Sequence, residues 1–175
     1  MSLQFLFAVA ADSAAIADLV NSAYRGDSST SGWTTEAHLL DGQRTDADEI
    51  KQKIEDRNSF ILTARENQEL IGSCELIANA ETSELYFGMF TIKPVLQNKG
   101  LGKAFLEQVE KIAKQWKLKK IKMTVITLRT ELIEYYKRRG FKVTDEYIPF
   151  PTEERFGIPK VKDLQMVYLV KDIHE

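Results

Sequence analysis

The segment Gln97-Asn98-Lys99-Gly100-Leu101-Gly102-Lys103-Ala104 joins a predicted strand to a predicted helix. Gly100 and Gly102 lack side chains, so an anion can approach the main chain closely, and glycine also permits positive φ. The first turn of a helix leaves backbone N–H groups unpaired and carries the positive end of the helix dipole. Lys99 and Lys103 add positive charge. This segment, which we call the glycine loop, is therefore predicted to bind the phosphate groups of a ligand.

Two widespread phosphate-binding loops do not match the glycine loop. A Walker A loop requires a glycine where Gln97 stands and a serine or threonine where Ala104 stands. A dinucleotide-binding fingerprint requires a third small residue at the position of Phe105 and a place after the first strand of the chain. The spacing therefore excludes both motifs.

The segments around the glycine loop predict a mixed sheet. Apolar runs at 60–64, 70–77 and 84–92 are separated by short polar turns, which is typical of antiparallel hairpins. Apolar residues then recur at helical spacing over 101–116, and a further strand is predicted at 121–126. A strand, a helix and a strand in this order predict a right-handed crossover between two parallel strands.

The remaining segments extend this sheet and cover it with helices. We predict a buried strand at 3–9, a helix from Asp12 or Ser13 to about Tyr24, a long surface loop at 26–44 with room for a short helix, and a helix at 46–57. We also predict a helix at 130–139, with Gly140 as the residue that ends it, and strands at 141–147 and 165–171. The predicted fold class is α/β (α+β), with a mostly antiparallel sheet of six to seven strands and helices on both faces. The absence of repeats and linkers predicts that residues 1–175 form one domain.

The composition narrows the class of protein. The chain has 175 residues, 43% of them hydrophobic and 29% charged, as in an ordinary globular protein. The one cysteine, Cys74, excludes an internal disulfide, and His38 and His174 are too few for a Cys/His zinc site, so no metal is expected. No segment reaches the roughly 20 apolar residues of a membrane helix. We therefore expect a cytoplasmic protein without a membrane association.

The charge is distributed unevenly along the chain. Residues 1–90 carry 6 Lys and Arg against 15 Asp and Glu, whereas residues 91–140 carry 13 against 4. A basic segment of this kind indicates either a polyanionic partner or a solvated helix face. Both nucleic acid and a phosphate-rich cofactor would satisfy the first interpretation, although the basic segment lacks the interleaved aromatic residues that stack on bases.

The glycine loop resembles the Gln/Arg-x-x-Gly-x-Gly/Ala signature of the GCN5-related N-acetyltransferases, the GNAT family. The similarity extends to the preceding strand, Tyr86 to Pro94, and to the segment Tyr135-Tyr136-Lys137-Arg138-Arg139-Gly140-Phe141, and it is clear over about residues 60–145. It implies an acetyl-CoA-dependent N-acetyltransferase in which two parallel strands splay apart around the pantetheine arm. The cofactor-binding residues implied are Phe90, Thr91, Ile92, Gln97, Asn98, Lys99, Gly100, Leu101, Gly102, Lys103, Ala104 and Arg129.

The resemblance also implies candidates for catalysis. Tyr136 occupies the position of the family's usual general acid, and its alternative is a packed core tyrosine. The glutamate base of the histone-modifying branch is replaced by Tyr86, so Glu84 and Glu75 are the candidates here, or else surface carboxylates. The acceptor, a small-molecule or peptide amine, is expected between the loops 26–44 and 149–163, with Trp33, Glu36, Arg44, Phe150, Arg155 and Phe156 as candidate lining residues.

Besides the enzyme, two other functions stay open at this point. The chain could bind acyl-CoA without turnover, as a sensor, or it could bind nucleic acid through the basic segment. The acidic pI of about 5.8 argues against the second of these. A homodimer is compatible with the family.

Overall fold

The architecture follows from a computed structural model, which describes residues 2–174. Within these residues, four helices and nine strands follow one another, and four short 3₁₀ turns lie between them. In chain order they are β1 (Leu3–Phe7), α1 (Ser13–Tyr24), β2 (Leu40–Asp41), α2 (Ala47–Glu55), β3 (Ser59–Glu66), β4 (Glu69–Asn79), β5 (Glu84–Ile92), α3 (Leu101–Gln115), β6 (Lys120–Ile126), α4 (Thr130–Lys137), β7 (Lys142–Pro149), β8 (Ile158–Pro159) and β9 (Gln165–Asp172).

Seven strands form one sheet in the order β1-β3-β4-β5-β6-β9-β7. Every neighbouring pair is antiparallel except β5 and β6, which are parallel and connected through α3. The predicted crossover and the mixed, mostly antiparallel sheet are therefore confirmed. The two-residue strands β2 and β8 pair separately.

The parallel pair opens soon after it forms. Only Glu84–Tyr86 of β5 pair with Lys120–Lys122 of β6, although β5 continues to Ile92 and β6 to Ile126. On the other side of β5, Met89 and Phe90 together face Cys74, because the register moves from Ser73↔Thr91 to Glu75↔Gly88. This β-bulge places Met89 at a φ of 49° and bends the strand. A gap therefore lies between the C-terminal halves of β5 and β6.

Side chains from alternate positions of the central strands pack against helices on opposite faces. On β3, Ile61 packs with Ile16 of α1 and Ile50 of α2. Its neighbour Leu62 packs into the larger cluster with Phe105 of α3 and Tyr136 of α4. This alternation follows from the two-residue period of a strand, and it confirms the prediction of helices on both faces.

Two sequence predictions are corrected by the fold. The strand predicted as buried at 3–9 is an edge strand that ends at Phe7, and Leu6 and Phe7 are exposed, because only β3 flanks it. The segment 26–44 is not simply a surface loop, because Ser29, Leu39 and Leu40 are buried and Leu40 pairs with Pro159. Both errors arise because local hydrophobicity does not reveal the position of a segment in the sheet.

Residues 2–174 contain no helix that is both long and apolar enough to cross a membrane.

Candidate active site between two strands

The glycine loop presents its main chain to solvent at the start of α3. Gly100 precedes the helix in the left-handed conformation, with φ 83° and ψ −4°. The first amide of the loop to enter the helical ladder is that of Ala104, which donates to the Gly100 carbonyl at 3.2 Å. Within residues 2–174, the amides of residues 98–103 have no hydrogen-bond acceptor. Six consecutive donors are therefore available to an anion.

A cavity of about 320 Å³, the loop cavity, lies directly against these donors. Its cationic side chains are Lys103, Arg138 and Arg139, and no carboxylate of the described residues lines it. An anionic ligand is therefore favoured here by both the side chains and the main chain. The lining comprises Tyr24, Trp33, Thr34, Phe90, Ile92, Gln97, Asn98, Gly100, Gly102, Lys103, Leu132, Tyr135, Tyr136, Arg138 and Arg139.

The second glycine of the loop is required by a neighbouring tyrosine. A Cβ atom at Gly102 would lie 2.2 Å from the Tyr135 hydroxyl oxygen, a distance that no side chain could accommodate without a shift of Tyr135. Tyr135 is in turn held by Arg139, whose guanidinium carbon lies 3.5 Å from the centre of the ring and whose Nη1 donates to the Tyr135 carbonyl at 3.0 Å. A side chain at position 102 would therefore displace the Tyr135 ring from its place against the glycine loop.

A second cavity of about 330 Å³, the strand cavity, lies on the other side of the gap between β5 and β6. Its charged lining residues are Glu36, Arg44, Glu49, Lys53 and Glu75, and much of the remaining wall is apolar or aromatic. The lining includes Tyr86, Gly88, Met89, Met123, Ile126, Phe150, Phe156 and Met166.

The two cavities meet at four shared residues, Tyr24, Phe90, Leu132 and Tyr136. The Tyr24 hydroxyl donates a hydrogen bond to the Phe90 carbonyl, which fixes the bulged part of β5 against the end of α1. Burial, followed by the nearby Glu36 carboxylate, raises the pKa of Tyr24 to about 12, so this hydroxyl keeps its proton at neutral pH. A ligand that passes through the gap would therefore meet a second ligand at this junction.

Tyr136 presents an available hydroxyl to the junction. Its side chain is 3% exposed and packs edge-on against Phe141 and Tyr135. No residue within 2–174 forms a hydrogen bond with its hydroxyl, although the residue lines both cavities. Burial raises the pKa of Tyr136 well above its ordinary value, so the group is a hydrogen-bond donor throughout the neutral range.

The two predicted bases occupy different places. Glu75 lines the strand cavity from β4, directly opposite Gly88 of β5, and its Oε1 accepts from Lys53 Nζ at 2.9 Å. Glu84 lies at the start of β5, opposite Asn79 and Lys120, and lines neither cavity. Of the two predicted bases, Glu75 is therefore the one that an amine in the strand cavity could reach.

The residues predicted to bind a cofactor divide into two groups. Phe90, Ile92, Gln97, Asn98, Gly100, Gly102 and Lys103 line the loop cavity, whereas Thr91, Lys99, Leu101, Ala104 and Arg129 do not. The contacts of the second group are still predictions.

Gln97 and Arg129 share a further function that the sequence did not indicate. The Gln97 side chain accepts from the amide of Trp33 at 2.9 Å and donates to the hydroxyl of Thr34 at 2.7 Å. The guanidinium of Arg129, which is 1% exposed, donates to the Thr34 carbonyl at 3.2 Å and to Glu131 at 2.7 Å. These two side chains therefore hold residues 33–36 at the edge of both cavities.

Of the residues predicted around the acceptor, Glu36, Arg44, Phe150 and Phe156 line the strand cavity. Trp33 instead lines the loop cavity, and Arg155 lines neither. Trp33 packs 5.1 Å from Tyr135, which explains its place beside the glycine loop.

The sequence did not identify four residues as part of the site: Tyr24, Tyr135, Arg138 and Arg139. Tyr24 is the last residue of α1, and its hydroxyl at the end of an apolar helix face is the one sequence feature that could have indicated a polar contact. Arg138 and Arg139 belong to the segment Tyr135–Phe141, which resembles the GNAT family. The strand–helix–strand unit could have indicated that this segment lies close to the glycine loop.

Comparisons with solved structures agree with this fold. The structure of yncA from Salmonella typhimurium with its cofactor acetyl-CoA matches with a TM-score of 0.70 and 20% identity, over 100% of this chain and 96% of that chain. An N-acetyltransferase from Staphylococcus aureus matches with 0.73 and 13%, over 99% of each chain. A spermidine N-acetyltransferase SpeG chimera from Vibrio cholerae matches with 0.70 and 18%, over 98% of this chain and 96% of that chain. At such identities the likeness establishes the fold.

Fold and sequence together define the class of protein as an acetyltransferase. The sequence profile of the acetyltransferase (GNAT) family matches residues 17–141, which contain the greater part of α1, both strands of the parallel pair, the glycine loop and Tyr136. The chain therefore belongs to the GNAT family. The comparison with curated protein sequences gives no match.

Proposed function

We propose that the protein transfers the acetyl group of acetyl-CoA to a primary amine by direct attack of the amine within a ternary complex. The observation that carries this proposal is the meeting of the two cavities at Phe90 and Tyr136, in the gap between β5 and β6. One cavity is suited to a phosphate-rich ligand and the other to an amine, so two bound substrates would meet at the junction.

The loop cavity fits coenzyme A. Amides 98–103 and the side chains of Lys103, Arg138 and Arg139 would hold its phosphate groups, by charge-assisted hydrogen bonds of about 1.5–3 kcal/mol each. The main chain of β5 beyond Tyr86 has no strand partner on the β6 side and would pair with the pantetheine arm. The predicted contacts of Thr91, Lys99, Leu101, Ala104 and Arg129 are retained as part of this proposal.

Acetyl-CoA supplies the acetyl group as a thioester, and the amine nitrogen bonds to the acetyl carbon as the carbon–sulfur bond breaks, giving an acetamide and a thiol. A free alkylamine with a pKa near 10.4 must lose a proton first, at a cost of roughly 4.6 kcal/mol at pH 7. Glu75, directly or through water, is the proposed acceptor of that proton. Tyr136 is the proposed donor to the sulfur.

Two other functions remain as alternatives to be tested. A non-catalytic sensor would bind acyl-CoA in the loop cavity but would acetylate no amine. Nucleic-acid binding is less favoured, because three of the basic side chains of residues 91–140 line the loop cavity. We also propose a cytoplasmic location, where a lone thiol stays reduced. A homodimer stays a prediction that light scattering would test.

The function is tested by an acetyl-CoA thiol-release assay with amines as acceptors. The panel comprises amino acids, amino acid amides, polyamines, aminoglycosides and peptides with free N-termini. We expect acceptor-dependent thiol release and a product that is heavier by one acetyl group in mass spectrometry. Calorimetric binding of CoA without acetylation of any amine would establish the sensor instead, and the absence of both would refute the proposal.

We predict that Glu75→Gln lowers kcat/KM for the amine on the order of tenfold, because the amide cannot accept the proton of the ammonium group. The KM for acetyl-CoA should stay within twofold, since Glu75 does not line the loop cavity. The measurement is steady-state kinetics between pH 6 and 9. Glu84→Gln is the matched control and should stay within twofold of the parent. Equal losses in the two variants would contradict the assignment of the base.

A further inference from the structure

The strand cavity contains an arginine whose charge no protein group neutralises. Arg44 is half-buried and lines this cavity, yet it does not line the loop cavity. Its guanidinium forms neither an ion pair nor a hydrogen bond with any group of residues 2–174, whereas its backbone amide donates to Asn21 Oδ1 at 2.7 Å. A half-buried cation without a partner is costly, and a bound anion would remove that cost.

Each of the other charged side chains of the strand cavity forms an ion pair with a protein group. Glu36 forms ion pairs with the buried side chains of Arg25 and Arg129. Glu49 and Glu75 share a single cation, Lys53, whose Nζ lies 3.6 Å from the first and 2.9 Å from the second. The cavity therefore has an excess of negative charge beside Glu75 and an excess of positive charge at Arg44.

The main chain at Arg44 is held in place by hydrogen bonds before any ligand binds. The Asn21 side chain accepts from the amides of both Arg44 and Thr45 and donates to the Thr45 carbonyl at 2.9 Å. Asn21 belongs to α1, so this part of the chain is fastened to a helix. Because this main chain is already ordered, binding of a planar anion by the guanidinium with two hydrogen bonds costs mainly the side-chain entropy of Arg44.

We propose that the acceptor is an amine that also carries a carboxylate, as an α-amino acid does, and that Arg44 binds the carboxylate while Glu75 receives the ammonium group. This inference rests on the proposed function and specifies its substrate. The ammonium group first gives one proton to Glu75, and the neutral nitrogen then bonds to the acetyl carbon as the thioester carbon–sulfur bond breaks. The nitrogen gives up a second proton as the amide forms and the thiolate takes up one, so the products are an N-acetyl amino acid, a thiol and a protonated Glu75. A zwitterion complements both charge excesses of the cavity at once.

The same charges select against other amines. A polyamine would place a second ammonium group in a cavity that contains Arg44, and the amide of a peptide N-terminus would leave that guanidinium without an anion. The remaining wall includes Met123, Ile126 and Met166, which favours an apolar side chain on the acceptor.

The test compares matched acceptors on the full-length parent protein. L-leucine, L-methionine and L-phenylalanine are each measured beside their amides and their decarboxylated amines, with thiol release as the readout. We expect kcat/KM for each acid to exceed that for its amide at least tenfold. Arg44→Gln should reduce this acid-to-amide ratio at least tenfold, and Arg44→Lys should keep part of it because it retains the charge. Arg57→Gln, at an exposed arginine outside both cavities, should preserve the ratio.

The outcomes separate this inference from the proposed function. Turnover of amides or decarboxylated amines with no preference for the acids would overturn the inference and leave the N-acetyltransferase proposal intact. An unchanged ratio in Arg44→Gln would also overturn it. Absence of turnover with every amine would overturn both. Calorimetric binding of CoA verifies that each variant is folded. The comparison of acids with their amides is made on the parent protein and therefore does not depend on any variant.

Discussion

Gly100→Asp is expected to lower the affinity for CoA at least 100-fold, and to bind at least tenfold more weakly than Gly100→Asn. The two side chains have nearly the same size, and both tolerate the left-handed conformation that Gly100 adopts at φ 83°. They differ in charge. Because no heavy atom lies within 4 Å of a Cβ built at Gly100, neither variant meets a steric obstacle in the protein itself.

The magnitude follows from the repulsion between a carboxylate and a bound phosphate. At about 5 Å and an effective dielectric constant near 20, two like charges repel by about 3 kcal/mol. A loss of 2.7 kcal/mol corresponds to about 100-fold in the dissociation constant. The aspartate would also occupy the N-cap position of α3, where its charge favours the helix, so stability should not account for the loss.

Isothermal calorimetry with CoA and acetyl-CoA measures this effect. Asn67→Asp is the control, because Asn67 also has positive φ and is exposed but lies outside the glycine loop, so the substitution adds the same charge elsewhere. Its affinity should equal that of the parent within a factor of three. Parent-like binding by Gly100→Asp would show that the loop does not hold the phosphates.

Tyr136→Phe is expected to lower kcat on the order of 100-fold, and at least tenfold, while the KM for acetyl-CoA changes less than threefold. The thiolate that leaves during transfer needs a proton or a hydrogen bond, and Tyr136 presents its hydroxyl where the two cavities meet. Even for a tyrosine with an ordinary pKa near 10, complete proton transfer to a thiolate of pKa near 8.5 is unfavourable by about 2 kcal/mol. Burial raises the pKa of Tyr136 further, so a hydrogen bond to the developing charge is the expected contribution.

The raised pKa also has a consequence for the pH dependence. Because the neutral phenol is favoured in the folded protein, Tyr136 stays protonated to a pH above 10, and kcat should not fall between pH 7 and 9 through its ionisation.

The kinetics require conditions in which chemistry limits turnover, which single-turnover measurements establish. The substitution leaves no protein group without a partner, because the hydroxyl is bonded to none of residues 2–174, so the fold should be preserved. Tyr147→Phe, at an exposed position of β7, serves as the control and should match the parent. A chemical step within twofold of the parent in Tyr136→Phe would mean that Tyr136 is a packing residue.

Local features of the sequence predicted the parts of the fold in which neighbours along the chain determine the outcome. The glycines at 100 and 102, the apolar period of α3 and the polar turns between β3, β4 and β5 act over a few residues, so the glycine loop and the order of the elements could be inferred. The bounds of β5 agree with the prediction for the same reason, since Lys93-Pro94 stops the strand.

Contacts between residues that are distant in sequence could not be predicted from such local patterns. Leu6 and Phe7 are as apolar as core residues but lie on an edge strand. Tyr24, Phe90 and Tyr136 come from three separate elements and meet only because the sheet opens after Tyr86. A residue's hydrophobicity indicates that it prefers burial but does not indicate which neighbours will bury it.

By itself, then, the sequence indicated a glycine loop suited to an anion between the strands of a parallel crossover, because glycine conformation and helix dipoles depend on the residues nearby. Only the tertiary structure decided that Glu75 faces Gly88 beside Lys53 and that Arg44, which has no ion-pair partner within residues 2–174, lines the same cavity. Ion pairs depend on distances of a few ångströms between elements that are far apart in sequence, and packing alone sets those distances.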